Sequence, residues 1–343
     1  MIHSASSAAA RRVLLVKTSS MGDLVHTLSA LEEARLHCPE LRVDWVCEEA
    51  FQDIPKLSPV IERVIPVAMR RWRKNYLGAS AWAEVRQFLS RLRAVDYDLV
   101  IDAQGLIKSA WMTAAARCPR RQRWGFDWST IREPLASLAV GRRVHAPAHW
   151  HAIKRLRTLF GAALGYVPTG AAPVLSSSAS LTDIIGQQSP GKEPTILLLH
   201  GTSRQEKSWP IDAWVELGRW LTAQGYRLQL PWGSPAEQDT ALQIANGIGE
   251  SAVVLPKMPI AQLAQTLINA DGAIGVDSGL MHLSVALGRP TVAVMAAAHL
   301  PKFSAARFAP FWAAHARVVE RTSTQQQITP TDVSLAWQQL AKQ

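Results

Sequence analysis

The sequence predicts an α/β fold built from two domains, each with a parallel sheet. Its length of 343 residues suggests two domains, at roughly 150 residues per domain. Short buried-strand runs alternate with helical patterns in both halves, which is typical of a doubly wound parallel sheet. With 48% hydrophobic and 19% charged residues the chain can bury a large core, and this composition excludes intrinsic disorder as its main state.

The first half opens with the apolar run 13–16, which predicts a buried strand, and a small polar turn at 17–23 follows it. Helical patterns cover residues 24–36 and 81–94. Further strand candidates are 42–47, 63–67 and 98–102. This order of strand, turn and helix predicts parallel pairing, because parallel strands need a crossover connection.

A loop-like stretch rich in Pro, Gly and Ser interrupts the alternation. We therefore predict a first domain over 1–170, a linker over 171–194 and a second domain over 195–325. The second domain repeats the alternation, with strands at 195–199, 227–230, 273–276 and 291–295 and helices at 211–224, 260–269 and 280–287. The segment 326–343 predicts a last amphipathic helix that could pack back toward the first domain.

Ligands of open α/β sheets bind outside the carboxyl ends of the strands. With two such domains the natural site is the cleft between them. The residues of the strand-to-helix turns are therefore the candidates for chemistry.

The net charge of +10 lies entirely in the first half of the chain. Residues 1–170 hold 25 Lys and Arg against 15 Asp and Glu, whereas residues 171–343 hold 12 of each. This half is expected to meet something anionic, such as a nucleic acid, an anionic membrane surface or a phosphorylated substrate. Its densest cationic run is 70–74, and a second basic stretch contains Arg117, Arg120, Arg121 and Arg123. Each could equally be a solvated face, and no nucleic-acid motif accompanies either.

Three cysteines at wide spacing fit neither a disulfide framework nor a zinc site. They favour reduced thiols in a cytoplasmic protein. The sequence has no apolar stretch of about 18 residues, so we predict no membrane-spanning helix. Walker A, HExxH, G-x-S-x-G and Gly-rich dinucleotide motifs are also absent, which argues against a Rossmann-type oxidoreductase.

Asp23 lies in the turn that leaves the first strand, where Gly22 allows close approach of the backbone to a ligand. A carboxylate at this position can cap the helix that follows. It can also act as a general base toward a hydroxyl group. The pattern alone leaves both interpretations open.

Four segments of the second half could together hold a nucleotide. After the strand 195–199, Thr202, Ser203 and Lys207 could bind phosphate, although Lys207 could also be a solvated loop lysine. The run 277–282 begins a helix whose free N–H groups suit an anion, with N-capping as the alternative. Glu237 could accept hydrogen bonds from ribose or simply favour a helix start, and Met258 could line an adenine pocket or pack in the core.

Several sequence segments resemble motifs of the lipopolysaccharide heptosyltransferase I family, which belongs to glycosyltransferase family 9. The first half carries residues 16–23, 64–67, 70–74, 100–106 and 132–138, and the second half carries 207–210, 230–233 and 276–279. These segments occur in the same order as in the family, and the resemblance covers nearly the whole chain, from about residue 11 to about residue 340.

The resemblance implies a GT-B glycosyltransferase, in which two Rossmann-like domains with parallel sheets face each other across a central cleft. The implied reaction moves L-glycero-D-manno-heptose from ADP-heptose to the first Kdo of Kdo2-lipid A, with inversion, in lipopolysaccharide inner-core biosynthesis. The implied location is the cytoplasmic face of the inner membrane, as a peripheral protein and a monomer. We expect no required metal or other cofactor and no nucleic-acid partner.

Residue roles follow from the resemblance position by position. Asp23 matches the catalytic base, and Lys207 matches the lysine on the donor diphosphate. The implied donor-binding residues are Thr202, Ser203, Lys207, Glu237, Met258, Asp277, Ser278, Gly279, Leu280 and His282. The implied acceptor-binding residues are Ser20, Gly22, Arg70, Arg71, Arg73, Lys74, Gln104 and Arg132.

The chain departs from the family after the strand 291–295, where the family usually has a Gly-Pro-Thr turn and this chain has residues 296–301. No contact is carried over from that loop. A later-acting heptosyltransferase, which adds heptose to heptose, is the alternative within the family. The segments 70–74 and 132–138 favour the enzyme that adds the first heptose.

Overall fold

The chain folds into two compact units, Met1–Ser176 and Ser177–Gln343. A computed structural model describes residues 11–74, 78–170, 175, 193–321 and 327–342. Most of the predicted linker (171–174 and 176–192) lies outside the described residues. None of the helices in the described part combines the length and apolar character needed to cross a bilayer.

The first unit alternates strands and helices, as predicted. Its strands are β1 Arg12–Val16, β2 Arg42–Glu48, β3 Ile61–Val67, β4 Leu99–Asp102, β5 Arg123–Phe126 and β6 Arg142–Val144. Its helices are α1 Met21–His37, α2 Met69–Trp72, α3 Ala79–Leu92, α4 Ile107–Ala115 and α5 Ala152–Leu164. Short 3₁₀ turns connect them, and the longest of these is Pro134–Ala139.

The six strands of the first unit form one parallel sheet in the order β3-β2-β1-β4-β5-β6. β1 pairs with β2 on one side and with β4 on the other, from Val13 opposite Leu99 to Val16 opposite Asp102. The chain therefore builds the sheet outward from β1 in one direction and then from β4 in the other. Such a reversal point is where ligands of α/β sheets bind.

Buried charges hold α1 in this unit. Glu33 in α1 is fully buried and pairs with Arg157 of α5 at 2.9 Å. The same carboxylate accepts hydrogen bonds from the backbone N–H groups of Thr169 and Gly170. A buried ion pair holds its place only when further hydrogen bonds satisfy its atoms, and the 169–170 segment supplies them.

The second unit repeats the plan. Its strands are β7 Thr195–Leu199, β8 Arg227–Leu230, β9 Ala252–Val254, β10 Gly272–Val276, β11 Thr291–Met295 and β12 Ala316–Glu320. Its helices are α6 Ile211–Ala223, α7 Pro235–Ile248, α8 Ile260–Asn269, α9 Gly279–Ala286, α10 Ala305–Phe308 and α11 Pro330–Ala341. The parallel sheet has the order β12-β11-β10-β7-β8-β9, so its reversal point lies between β7 and β10.

The last helix, α11, is a layer of the second unit. It packs against α6, β11 and β12, and its buried Trp337 meets the ring of Tyr226 edge-on. A Cβ at Gly272 would lie 2.4 Å from the Trp337 ring, so only glycine lets this helix lie so close to β10. These contacts attach the predicted segment 326–343 to the second domain.

The predicted fold class, two Rossmann-like domains with parallel sheets, is confirmed. Four short strands that the periodicity did not assign complete the two sheets: β5, β6, β9 and β12. β6 and β9 have three residues each and lie at sheet edges, where few side chains are buried. A run this short carries no readable apolar pattern.

Candidate active site

Each sheet places two strand-to-helix turns side by side at its reversal point. In the first unit these are the turns after β1 and β4, and in the second unit the turns after β7 and β10. Twelve of the nineteen site residues predicted from the sequence fall in these four turns or in the first helical turn after them, and the other seven follow β3, β5, β8 and β9. Each unit is described by itself below.

Asp102 organises the turn after β4. Its buried carboxylate accepts hydrogen bonds from the backbone N–H groups of Gln104 and Gly105 (both 2.9 Å) and from the Ser109 hydroxyl (2.9 Å). Gly105 has a φ of +68°, and a Cβ there would lie 2.9 Å from Ile131. Burial raises the pKa of Asp102, whereas these hydrogen bonds oppose the rise.

Gln104 links this turn to the turn after β1 by hydrogen bonds. Its Oε1 accepts hydrogen bonds from the backbone N–H groups of Thr18 (2.9 Å) and Ser19 (3.2 Å). In this structure, the residue predicted to bind the acceptor fixes the loop that precedes Asp23.

Asp23 is the third residue of α1 and forms a capping box with Ser20. Its Oδ2 accepts from the backbone N–H (2.9 Å) and the hydroxyl (3.1 Å) of Ser20. Its Oδ1 faces the Nζ of Lys17 at 3.9 Å, and the side chain is 39% exposed. Gly22 lies between these residues in the first turn of the helix. The capping interpretation therefore holds for Oδ2, whereas Oδ1 takes no part in the cap.

Burial alone would raise the pKa of Asp23, but stronger opposing effects lower it below its ordinary value. The Lys17 ammonium, the two hydrogen bonds from Ser20 and the more distant Arg132 guanidinium all favour the carboxylate. Asp23 is consequently ionised at neutral pH, which a general base requires.

Two lysines contact Asp23 or the loop before it, and neither of them was predicted from the sequence as a site residue. Lys17 is buried and donates to the carbonyl of Ala103 (3.2 Å), and Lys108 donates to the Ser19 hydroxyl (3.1 Å). Burial lowers the pKa of Lys108, and the nearby cations Arg70, Lys17 and Arg132 add to this, against Glu48. A lysine whose charge is disfavoured by its neighbours is a suitable place for an anion.

The basic segment 70–74 is partly neutralised. Arg71 forms ion pairs with Glu49 (3.0 Å) and Glu84, which hold the pKa of this exposed guanidinium above its ordinary value. The backbone N–H of Arg70 donates to Glu48 (2.9 Å), and its guanidinium lies 5.4 Å from the centre of the Phe51 ring.

The other predicted cations of the first unit are solvent-facing. Arg73, Lys74 and Arg132 are exposed, and no ion pair involves them among the described residues. Of the predicted acceptor cations, Arg70 and Arg132 are the two whose charge helps to lower the pKa of Lys108.

Lys207 and Asp277 meet at the reversal point of the second sheet. The Lys207 ammonium lies 2.6 Å from Oδ2 of Asp277, and His282 Nε2 lies 3.2 Å from Oδ1 of the same carboxylate. The pKa of the buried Asp277 falls to about 2: burial would raise it, but His282 and Lys207 together outweigh that effect. Asp277 is thus a buried anion that holds two donors in place.

The segment that follows β11 also reaches this lysine. Phe303, in the 3₁₀ turn Pro301–Phe303, places its ring centre 4.6 Å from the Lys207 ammonium. An ammonium over an aromatic face is attracted by the ring quadrupole. The Thr202 hydroxyl lies 3.5 Å from the Asp277 carbonyl, and Ser203 beside it is exposed.

The helix α9 starts beside this pair. Ser278 is its N-cap, and the hydroxyl accepts a hydrogen bond from the N–H of Met281 (3.3 Å). The N–H groups of Gly279 and Leu280 have no acceptor within their own helix, because the first turn of any helix lacks one. Half-buried backbone donors at a helix start, together with a lysine, make an anion site.

Glu237 lies in the turn after β8, next to this site. It is the third residue of α7, and its carboxylate accepts from the N–H of Gly233 (2.7 Å). A Cβ at Gly201 would lie 2.9 Å from the Glu237 carboxyl carbon, so the glycine makes room for this side chain. Met258 follows β9, half-buried, with its sulfur 3.9 Å from the Thr266 hydroxyl.

Among the described residues, His, Cys, Asp and Glu side chains nowhere form a group of three that could hold a metal ion. The prediction that no metal is required stays a prediction.

The family model described as glycosyltransferase family 9 (heptosyltransferase) matches residues 85–329, which include the turn after β4 and the reversal point of the second sheet. The chain belongs to glycosyltransferase family 9. This membership confirms the predicted glycosyltransferase and favours it over the nucleic-acid-binding and oxidoreductase alternatives.

Individual members of family 9 agree with this assignment. The chain is 44% identical over 289 residues to lipopolysaccharide heptosyltransferase 1 of Escherichia coli strain K12, covering 82% of this chain and 87% of that protein. It is 45% identical over 287 residues to the heptosyltransferase 1 of Pseudomonas aeruginosa, covering 82% and 78%. The solved structure of E. coli heptosyltransferase WaaC with ADP-2-deoxy-2-fluoro heptose superimposes with a TM-score of 0.81 at 38% identity, covering 96% of this chain and 99% of that one.

The environment of Asp23 predicts a pH effect of Lys17. Replacing Lys17 with Met removes the main charge that lowers the pKa of Asp23, so this pKa rises. A base must be ionised, and its activity falls as the pH drops through its pKa. The acid limb of the kcat/KM profile should therefore move to higher pH in Lys17→Met.

The matched control is Lys56→Met, which removes an exposed lysine of the same unit that pairs with Asp53. Its acid limb should coincide with that of the unsubstituted enzyme. An acid limb of Lys17→Met that also stays in place would show that Lys17 does not set the pKa of Asp23.

Proposed function

We propose that this family 9 enzyme transfers L-glycero-D-manno-heptose from ADP-heptose to the first Kdo of Kdo2-lipid A, in lipopolysaccharide inner-core biosynthesis. The observation that carries the proposal is the likeness to two proteins named heptosyltransferase 1, which extends over both units. It favours addition of the first heptose over the later-acting alternative.

The second unit suits the donor. A nucleoside diphosphate needs donors for its phosphates, and Lys207, Gly279 and Leu280 present an ammonium and two free N–H groups at one helix start. Asp277 positions Lys207, and Glu237 has a second carboxylate oxygen for a ribose hydroxyl. Met258 lies in the turn after the neighbouring strand, where it would contact the base.

The first unit suits the acceptor. Kdo carries a carboxylate, and lipid A carries phosphates, so the acceptor is an anion with several charged groups. Lys17 and Arg132 act on Asp23 with their positive charge, and Lys108 and Arg70 add positive charge close to the loop before it. Asp23 is the base for the acceptor hydroxyl group. The exposed Arg73 and Lys74 extend this charge outward, and Arg71 would exchange a carboxylate of Glu49 or Glu84 for the acceptor.

The transfer step then balances as one displacement. Asp23 Oδ1 takes the proton of the acceptor hydroxyl while the oxygen bonds to the anomeric carbon of the heptose. The bond from that carbon to the diphosphate oxygen breaks on the opposite face, which inverts the centre. ADP leaves with the negative charge, and Lys207 and the α9 donors stabilise it without a metal.

The location follows from the acceptor, which is a membrane lipid made on the cytoplasmic side. We propose that the enzyme works as a monomer at the cytoplasmic face of the inner membrane, held there as a peripheral protein. The charge of the first unit supports this, because anionic lipid attracts basic surfaces.

A mass measurement tests the proposed reaction. The enzyme with ADP-heptose and Kdo2-lipid A should add one heptose mass to the lipid and release ADP, and EDTA should leave the rate unchanged. Lipid of unchanged mass, or product formed only when heptose is already present on the acceptor, would contradict the first-heptose proposal. A rate lost in EDTA and restored by Mg²⁺ would contradict the metal-free step.

Asp23→Asn keeps the shape of the side chain but removes its basicity. The turnover number should fall on the order of 10²–10⁴-fold, whereas the dissociation constant for ADP-heptose should change less than about twofold. Asp53→Asn, a surface acid of the same unit, is the control and should turn over normally. Turnover of Asp23→Asn within about tenfold of the unsubstituted enzyme would rule out Asp23 as the base.

Lys207→Met tests the diphosphate site. Loss of the ammonium should weaken ADP binding and lower turnover on the order of 10²–10³-fold, because charge on the leaving group is no longer stabilised. Lys302→Met is a close control, since Lys302 lies over the same Phe303 ring (4.7 Å) but pairs with Glu206 at the surface. Equal kinetics of the two variants would contradict the role of Lys207.

A further inference from the structure

An apolar edge faces solvent on the first unit. Leu135 and Leu138 are 59% and 55% exposed, although they belong to the 3₁₀ helix Pro134–Ala139, whose Ala136 and Ser137 are buried. A 3₁₀ helix has three residues per turn, so side chains three apart lie on one edge. The two leucines therefore project together.

Arginines surround this edge. The Arg120 guanidinium donates to the carbonyl of Leu138 (3.0 Å), and that of Arg143 donates to the carbonyl of Ser137 (3.2 Å). A Cβ at Gly141 would touch the backbone of Arg120 and Arg121, which places these two residues against the start of β6.

Arg142, the first residue of β6, therefore lies beside Arg121, and its guanidinium is 5.7 Å from the Trp124 ring centre. In the described part of the chain, no ion pair engages the side chains of Arg120, Arg121, Arg142 or Arg143. We call the set Leu135, Leu138, Arg120, Arg121, Arg142 and Arg143 the Leu135 surface.

The Leu135 surface adjoins the candidate acceptor site. Glu133, two residues before Leu135, donates its backbone N–H to the carbonyl of Gly105 (3.2 Å) and accepts from the N–H of Ile107 (2.6 Å). Ile107 is itself 55% exposed. Arg132, the residue before Glu133, is one of the cations that lower the pKa of Asp23. One short segment thus joins the base to the exposed leucines.

We propose that the Leu135 surface docks on an anionic phospholipid bilayer, with Leu135 and Leu138 entering the interface and the four arginines on the headgroups. Exposed apolar side chains rimmed by charge mark interaction surfaces. Unpaired arginines complement an anionic lipid surface, and binding of this kind combines apolar burial with electrostatic attraction. The inference rests on the proposed function, since it names the surface that brings the enzyme to its lipid acceptor.

Vesicle sedimentation tests the docking. The full chain should bind vesicles of phosphatidylglycerol and phosphatidylethanolamine, release in high salt and bind phosphatidylcholine vesicles weakly. Leu135→Ser/Leu138→Ser should lower the partition coefficient about tenfold. Arg121→Gln/Arg142→Gln should lower it about 25-fold, because each basic side chain near an anionic surface contributes about fivefold. Binding equal to that of the unsubstituted chain in either double variant would overturn the proposal.

Matched substitutions separate docking from general effects. Leu36→Ser/Leu335→Ser removes two leucines that are 61% and 52% exposed elsewhere, and Arg86→Gln/Arg91→Gln removes two charges from α3 in the same unit. Both should bind vesicles within about twofold of the unsubstituted chain, and Arg121→Lys/Arg142→Lys should restore most of the binding. If the controls lose as much binding as the test variants, the surface has no special role.

Two further readouts complete the design. Light scattering should show one mass for the unsubstituted chain and for Leu135→Ser/Leu138→Ser, because a dimer that the substitution dissociates would make this surface an interface between copies and overturn the proposal. Turnover on a water-soluble Kdo acceptor without acyl chains should be equal in both. If the unsubstituted enzyme fails on that acceptor, the proposed function fails while the lipid-binding result stands.

Discussion

The reversal of strand order is the constraint on which both candidate sites depend. Parallel strands need crossover connections, so every strand-to-helix turn lies at the same edge of its sheet. Between β1 and β4, and again between β7 and β10, neighbouring connections leave in opposite directions, so the turns after these strands lie side by side. Lys207 and Asp277 are 70 positions apart in sequence, yet they are 2.6 Å apart because of this topology.

Each reversal point contains a buried carboxylate, but the two carboxylates bind different kinds of hydrogen-bond donor. Asp102 binds neutral donors, namely two backbone N–H groups and a hydroxyl, and burial leaves its pKa raised. Asp277 faces Lys207 and His282, and its pKa falls to about 2. The Asp102 carboxylate therefore holds the backbone of the turn after β4, and Gln104 in that turn holds the loop before Asp23. The second orders side chains and keeps an ammonium beside a helix start.

The features that could be predicted from the sequence are those that a local residue pattern encodes. The long buried strands β1 and β7 and the turns after them are visible because apolar runs end in small polar residues. Lys17 and Lys108 were missed as site residues because their proximity depends on β1 pairing with β4, which no local pattern contains. Asp23 had two interpretations, a cap and a base, and the structure shows why sequence could not separate them. One oxygen makes the cap, and the other remains available for the base role, which stays a proposal.

The excess charge of the first unit can be apportioned by what each cation contacts. Arg63 and Arg157 are used inside the fold, on Asp44 and Glu33. Lys17 faces Asp23 at 3.9 Å, and Lys108 donates to Ser19 in the loop before it. The Leu135 surface holds four more cations, and none of them is among the main causes that lower the pKa of Asp23. Surface charges are screened within about 10 Å at ordinary salt, so each group of cations acts mainly on the charges close to it. For the proposed lipid acceptor, the cations near Asp23 would meet the charged sugar head, and the Leu135 surface would meet the anionic bilayer around it.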